Sequence, residues 1–113
     1  MKHSKLLSEV LLALGKIEII EQILHWPEQP KTTVYGCQEG STVWVNPLAN
    51  KTKRVVVGTL IHEAIHFVRK SYSEKKTEAM TDLLWNQLSP SDMDAIYKIY
   101  RAFVRKRRGK VSV

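Results

Sequence analysis

The segment Gly58 to Val68, GTLIHEAIHFV, constrains this chain more than any other. Each residue of a helix turns by about 100°, so with His62 at zero His66 falls near 40° and Glu63 near 100°. Val57, Leu60, Ala64 and Val68 fall on the opposite side, between roughly 160° and 240°. The apolar face is complete without the histidines. A helix of this kind packs on one side and leaves two imidazoles, one turn apart, on the other, where Gly58 and Thr59 add little bulk. The pattern predicts a helix over residues 53–70 with a separate polar face.

That polar face suits a transition metal. Imidazoles at i and i+4 converge on one ion, with metal–nitrogen distances of about 2.0–2.1 Å for zinc. Glu63 stands to one side, able to reach a water at the ion without taking a coordination position. This is the H-E-x-x-H pattern, His62-Glu63-Ala64-Ile65-His66. The competing reading is a chance match, with both histidines solvated or satisfied by hydrogen bonds. A catalytic zinc site takes a third protein ligand and keeps its fourth position open. No histidine follows His66, so the third ligand is a carboxylate or absent. The run KKTEAMTD supplies Glu78 and Asp82, four apart on one face of the next predicted helix. Glu78 is the expected ligand. Asp82 is the expected acceptor for the non-coordinating nitrogen of a ligand histidine, a contact that fixes the ring. Glu74 is the rival ligand, and a plain solvated helix face is the rival explanation.

Residues 62–66 and 78–82 together resemble the two signature elements of gluzincin metalloproteases, an H-E-x-x-H helix followed by a helix carrying E-x-x-x-D. The short connection between His66 and Glu78 is similar to that of the compact minigluzincins. The resemblance implies a zinc-dependent endopeptidase with one Zn2+ per chain, held by His62, His66 and Glu78, with Glu63 as general base and Asp82 behind the ligands. It implies a small antiparallel sheet before the motif helix, whose edge strand pairs with a peptide substrate. Thr42, Val43, Trp44 and Val45 stand where that strand is expected. It also implies that the protein is latent as made, in zymogen fashion, with an end of the chain over the cleft. A second oxyanion donor is common in this chemistry. Tyr72, Tyr97, Tyr100 and His25 are available, with Tyr97 and Tyr100 better explained as core.

The rest of the chain predicts a single α+β domain of zincin-like type. Residues 4–14 and 16–25 read as two helices separated at Gly15. Pro27 and Pro30 mark a loop. Thr32–Gly36 and Thr42–Asn46 read as an antiparallel hairpin around Cys37-Gln38-Glu39-Gly40. A helix is expected from Glu74 to Leu88. Ser89-Pro90-Ser91-Asp92 signals another, with a serine cap, proline at the first position and a carboxylate three residues after the cap. Met93, Ile96, Tyr97, Tyr100, Phe103 and Val104 form its apolar face, and residues 107–113 are expected to fray. Trp85 is expected to pack near the floor of the site.

Charge adds a second functional lead. The chain of 113 residues has 18 Lys and Arg against 11 Asp and Glu. Lys98, Arg101, Arg105, Lys106, Arg107, Arg108 and Lys110 hold the whole excess, as a basic tail on a neutral body. Such a stripe contacts nucleic-acid phosphates, and a nucleic-acid-binding module is the main rival function. A catalytically inactive zincin scaffold and a zinc-free structural protein are the other rivals. The start of the chain has a basic residue and apolar run, but Ser8 and Glu9 interrupt the run and Lys16 and Glu18 follow it, unlike a signal peptide. No apolar run reaches the roughly 18 residues of a membrane span. With Cys37 as the single cysteine, no internal disulfide forms, and a reducing, cytoplasmic setting is expected.

Overall fold

The structure is a computed structural model. It describes residues 4–21, 25–26, 29–33, 35–47 and 49–111, with side chains described for 4–21, 35–47 and 49–104. The fold is α+β: four helices and a three-stranded mixed sheet, with a separate two-stranded pair, among the described residues.

Helix α1 (Lys5–Leu14) starts where the Ser4 hydroxyl accepts the Leu7 N–H at 3.2 Å, satisfying one of the free amides of the first turn. Leu6, Leu7, Val10, Ala13 and Leu14 face inward. The helix ends at Gly15, and the expected second helix does not form. Residues 18–21 make strand β1 (Glu18–Glu21) instead. Burial there follows a period of two: Ile17 and Ile19 are buried and Glu18 is exposed. The isoleucine-rich run satisfies a helical and an extended pattern alike, and tertiary pairing selects the extended one.

The β1 strand runs parallel to β5 (Thr42–Val45), with Ile19 opposite Val43. Strands β2 (His25–Trp26) and β3 (Gln29–Thr33) form their own antiparallel pair, which the sequence did not announce. The expected hairpin exists but is displaced. Its first strand, β4, is Gly36–Glu39 rather than Thr32–Gly36, and the link to β5 is the two-residue turn Gly40-Ser41. Gly40 takes φ of 59° there, a conformation that tight hairpins demand and glycine adopts without strain. The strand order is β1-β5-β4. Hence β5 is the central strand, and β4 is an edge.

Helix α2 (Lys53–Val68) runs close to the expected bounds and is capped by Thr52. Val56, Val57, Leu60, Ile61, Ala64 and Ile65 are all buried along it. The buried arc is wider than the four-residue face read from the sequence, because α1, α4 and the sheet all pack against this helix. Helix α3 (Glu74–Trp85) is capped by Ser73 and stops three residues short of Leu88. Helix α4 (Pro90–Val111) begins with the expected capping box: the Asp92 N–H donates to Ser89 Oγ at 3.0 Å and the Ser89 N–H to Asp92 Oδ2 at 3.1 Å. The expected fraying from residue 107 is not seen, and the helix continues to Val111.

One hydrophobic cluster links Leu7 and Leu14 of α1, Ile19 and Val43 of the sheet, Leu60 of α2, Leu84 of α3 and Ile96 of α4. Ion pairs between Arg69 and Glu9 and between Lys53 and Asp94 join α1 and α4 to the two ends of α2. Among the described residues no helix is long and apolar enough to cross a membrane.

Candidate metal centre

With most of α2 buried, one strip stays open: Arg54, Gly58, His62 and His66, at intervals of one turn. It floors a groove walled on one side by α3 and on the other by Tyr35 and β4.

His62 and His66 point into this groove with their Nε2 atoms 3.2 Å apart. The carboxylate of Glu74 straddles them, Oε1 lying 2.6 Å from His62 Nε2 and Oε2 3.0 Å from His66 Nε2. Donors about 2.0–2.1 Å from a tetrahedral ion stand roughly 3.3 Å from one another, so the separations approach the edges of a zinc polyhedron. Two imidazole nitrogens and a carboxylate gathered this closely oppose their lone pairs unless a ring N–H or a metal ion lies between them. His62, Glu63 and His66 also form a group whose ligand atoms lie within 4.8 Å of one another, close enough to hold a metal ion.

The ring of His62 has a neighbour on its far side. Thr81 Oγ1 lies 3.5 Å from His62 Nδ1 and donates its own proton to the Thr77 carbonyl at 2.7 Å. Its lone pairs therefore face Nδ1. That arrangement favours the tautomer with hydrogen on Nδ1 and leaves the Nε2 lone pair toward the groove.

Glu63 is 7% exposed. Burial, and then the negative charge of Glu74, push its carboxyl up to about 7. Strand β4 covers it through a close approach. A Cβ on Gly36 would stand 2.8 Å from Thr59 Cγ2, 2.9 Å from the Trp44 carbonyl oxygen and 3.4 Å from Glu63 Cγ. Only a residue without a side chain lets the edge strand lie this near α2. Buried Asn50 locks the same junction. Its amide donates to the carbonyls of Tyr35 at 2.8 Å and Asn46 at 2.7 Å, and its oxygen accepts from Thr59 Oγ1 at 2.6 Å.

The structure brings His62, Glu63 and His66 together as expected. It puts Glu74, rather than Glu78, against the histidines. Glu78 and Asp82 line the groove but are exposed, and neither makes a hydrogen bond or ion pair with a histidine. Thr81 holds the position expected for Asp82. The substrate-strand expectation is corrected. Thr42, Val43, Trp44 and Val45 belong to the central strand, paired on both sides, and Val43 and Val45 are buried in the core. None of them lines the groove; Tyr35 to Gln38 do. Tyr72, Tyr97 and Tyr100 are also absent from the groove lining, and Tyr100 instead donates to Glu21. The side chain of His25 lies outside the described residues, as do those of Arg105 to Lys110. Lys98 and Arg101 are exposed on α4. Trp85 lines the groove from the α3 wall rather than from its floor.

Sequence reasoning missed Tyr35, Arg54 and Thr81. Thr81 had a legible signal. On a helical wheel it falls about 20° from Glu74, whereas Asp82 falls about 80° away. Tyr35 had none, because its place depends on how β4 docks. Comparison with protein-family models, curated proteins and solved structures returns no match for this chain.

Proposed function

We propose that the protein is a zinc-dependent endopeptidase. The observation that carries the reading is the convergence of His62, His66 and Glu74 beside a buried Glu63, in a groove bordered by β4, an edge strand among the described residues. His62 and His66 would hold the ion through Nε2, with the Glu74 carboxylate as third ligand. Bound there, zinc supplies Lewis acidity toward a peptide carbonyl and acidifies water.

The remaining work falls to residues of this chain. Glu63, with a carboxyl near neutrality, takes a proton from the attacking water and returns it to the leaving amine. Glu63 would be ionised, the form a base needs, once a metal ion held by His62 and His66 offset the charge of Glu74. The outer edge of β4 offers backbone N–H and C=O groups to an extended peptide, which would lie as an added strand beside α2. Tyr35 lines the groove, and its phenol is the donor proposed for the developing oxyanion. Thr81 keeps the His62 ring in register.

The test uses full-length protein reconstituted with zinc and a mixture of unfolded protein substrates. New peptide termini are read by mass spectrometry, before and after limited trimming of the chain ends, since a latent form is part of the proposal. Wild type is expected to generate termini. Glu63→Gln is expected to lose about 10²–10⁴-fold in rate while keeping its zinc. Zinc-loaded wild type that cuts nothing in either condition would sink the peptidase reading.

A further inference from the structure

The groove does not end at the histidines. It continues toward the N-terminal end of α2, past Gly58 to Arg54. Here the wall is Trp85. A Cβ on Gly58 would lie 4.0 Å from Trp85 Cζ3, so the missing side chain leaves a recess between the indole and the helix. The guanidinium of Arg54 closes it, with its carbon 5.1 Å from the centre of the Trp85 ring.

The groove is lined by charges of both signs. Glu63, Glu74, Glu78 and Asp82 lie among its lining, and Arg54 is the one lysine or arginine there among the described residues. Arg54 forms no ion pair with a described carboxylate, and its recorded partner is the face of Trp85. A guanidinium stacked on an indole keeps its N–H edge free and loses little entropy when it binds. An anion finds its cationic partner in the groove at Arg54.

Resting on the peptidase reading above, we infer that the recess between Arg54, Gly58 and Trp85 is a specificity subsite for an acidic substrate side chain, with Arg54 as the residue that pairs with its carboxylate. The spacing limits where that side chain sits. Gly58 precedes His62 by one turn, about 6 Å along the axis, and the guanidinium lies beyond the indole. An extended peptide advances about 3.3 Å per residue, so the acidic residue falls within about three positions of the scissile bond.

The experiment separates this inference from the reading beneath it. Peptides differing only by Glu, Gln or Lys at one position are compared in two assays on zinc-loaded protein. One is cleavage by wild type. The other is equilibrium binding to Glu63→Gln. Glu is expected to exceed Gln about tenfold in one or both assays. Arg54→Gln is expected to erase that preference, and Arg54→Glu to turn it toward Lys. Gly58→Leu, which fills the recess without changing charge, is expected to weaken the Glu, Gln and Lys peptides together. Cleavage with equal rates for Glu and Gln, or an unchanged preference in Arg54→Gln, would overturn the subsite and leave the peptidase reading standing. Acid-selective binding without cleavage would support the subsite and count against catalysis. If no peptide is bound or cut, both fall.

Discussion

Glu74 reaches back from the first turn of α3 to place its carboxylate 2.6 Å from His62 Nε2 and 3.0 Å from His66 Nε2. Glu78, one turn further along, lines the same groove without touching either ring. Metal content per chain should therefore respond to Glu74→Gln more than to Glu78→Gln. Removing a true third ligand should weaken zinc binding by at least about tenfold, since even outer contacts are worth about 10–100-fold. Mass spectrometry of the native proteins, with competition against a chelator, reads the difference. The reverse order would assign the ion to Glu78 and leave Glu74 as a partner of the metal-free histidines.

Thr81 contacts His62 through the ring nitrogen that faces away from the groove. Thr81→Val keeps the shape and removes the hydroxyl. Zinc affinity should fall by about tenfold, while thermal unfolding of the metal-free protein changes little. Titration with zinc in a competing indicator measures the first and scanning calorimetry the second. Unchanged affinity would mean that packing alone orients His62.

Gly36 and Asn50 hold the edge strand against α2. Gly36→Ala puts a methyl group against the Trp44 carbonyl and Thr59, and neither backbone oxygen nor branched side chain yields cheaply. The expected cost is about 1–3 kcal/mol. In Asn50→Ala the Tyr35 and Asn46 carbonyls keep backbone donors, from Asn46 and Asn50 respectively, but Thr59 Oγ1 loses its acceptor. About 1–3 kcal/mol is expected there too. Urea unfolding of the metal-free proteins gives both values. Wild-type stability in Gly36→Ala would mean that β4 does not sit this close to α2.

Cys37 reports on the same strand by pH. Although the residue is exposed overall, desolvation by neighbouring protein raises its thiol pKa, and the charges of Glu63 and Glu39 raise it further. A raised pKa means less thiolate at any pH below it, so alkylation should be slower than for an unperturbed cysteine near pH 8. The rate should climb at higher pH than usual. Glu63→Gln removes one of the charges and should move the profile down. Iodoacetamide labelling followed by intact mass measures it. Coincident profiles for the two proteins would place Cys37 outside the field of Glu63.

The elements read correctly from the sequence are those whose signals are local. HEAIH announces its helix because the apolar arc and the imidazoles separate cleanly at 100° per residue. Ser89-Pro90-Ser91-Asp92 announces α4 because a capping box is complete within four residues. Elsewhere the local signal was present but equivocal. KIEIIEQIL supports a helix by content and a strand by alternation. Gly40 and the β-branched residues after it marked a hairpin without fixing its register.

The amino-acid sequence by itself determined which groups this protein brings to a site: two imidazoles and a glutamate on α2, and carboxylates on the helix that follows. It also determined that the fold is α+β, because short-range patterns specify helices and a hairpin. Tertiary structure alone decided that residues 18–21 become a strand, since their partner Thr42–Val45 lies far along the chain. It decided that β5 is central and β4 an edge among the described strands, because β1 takes the other side of β5. It also decided that Glu74 faces the histidines and that Arg54 and Tyr35 share their groove. Those outcomes depend on how α3 and β4 pack against α2, and no pattern within either segment encodes that angle.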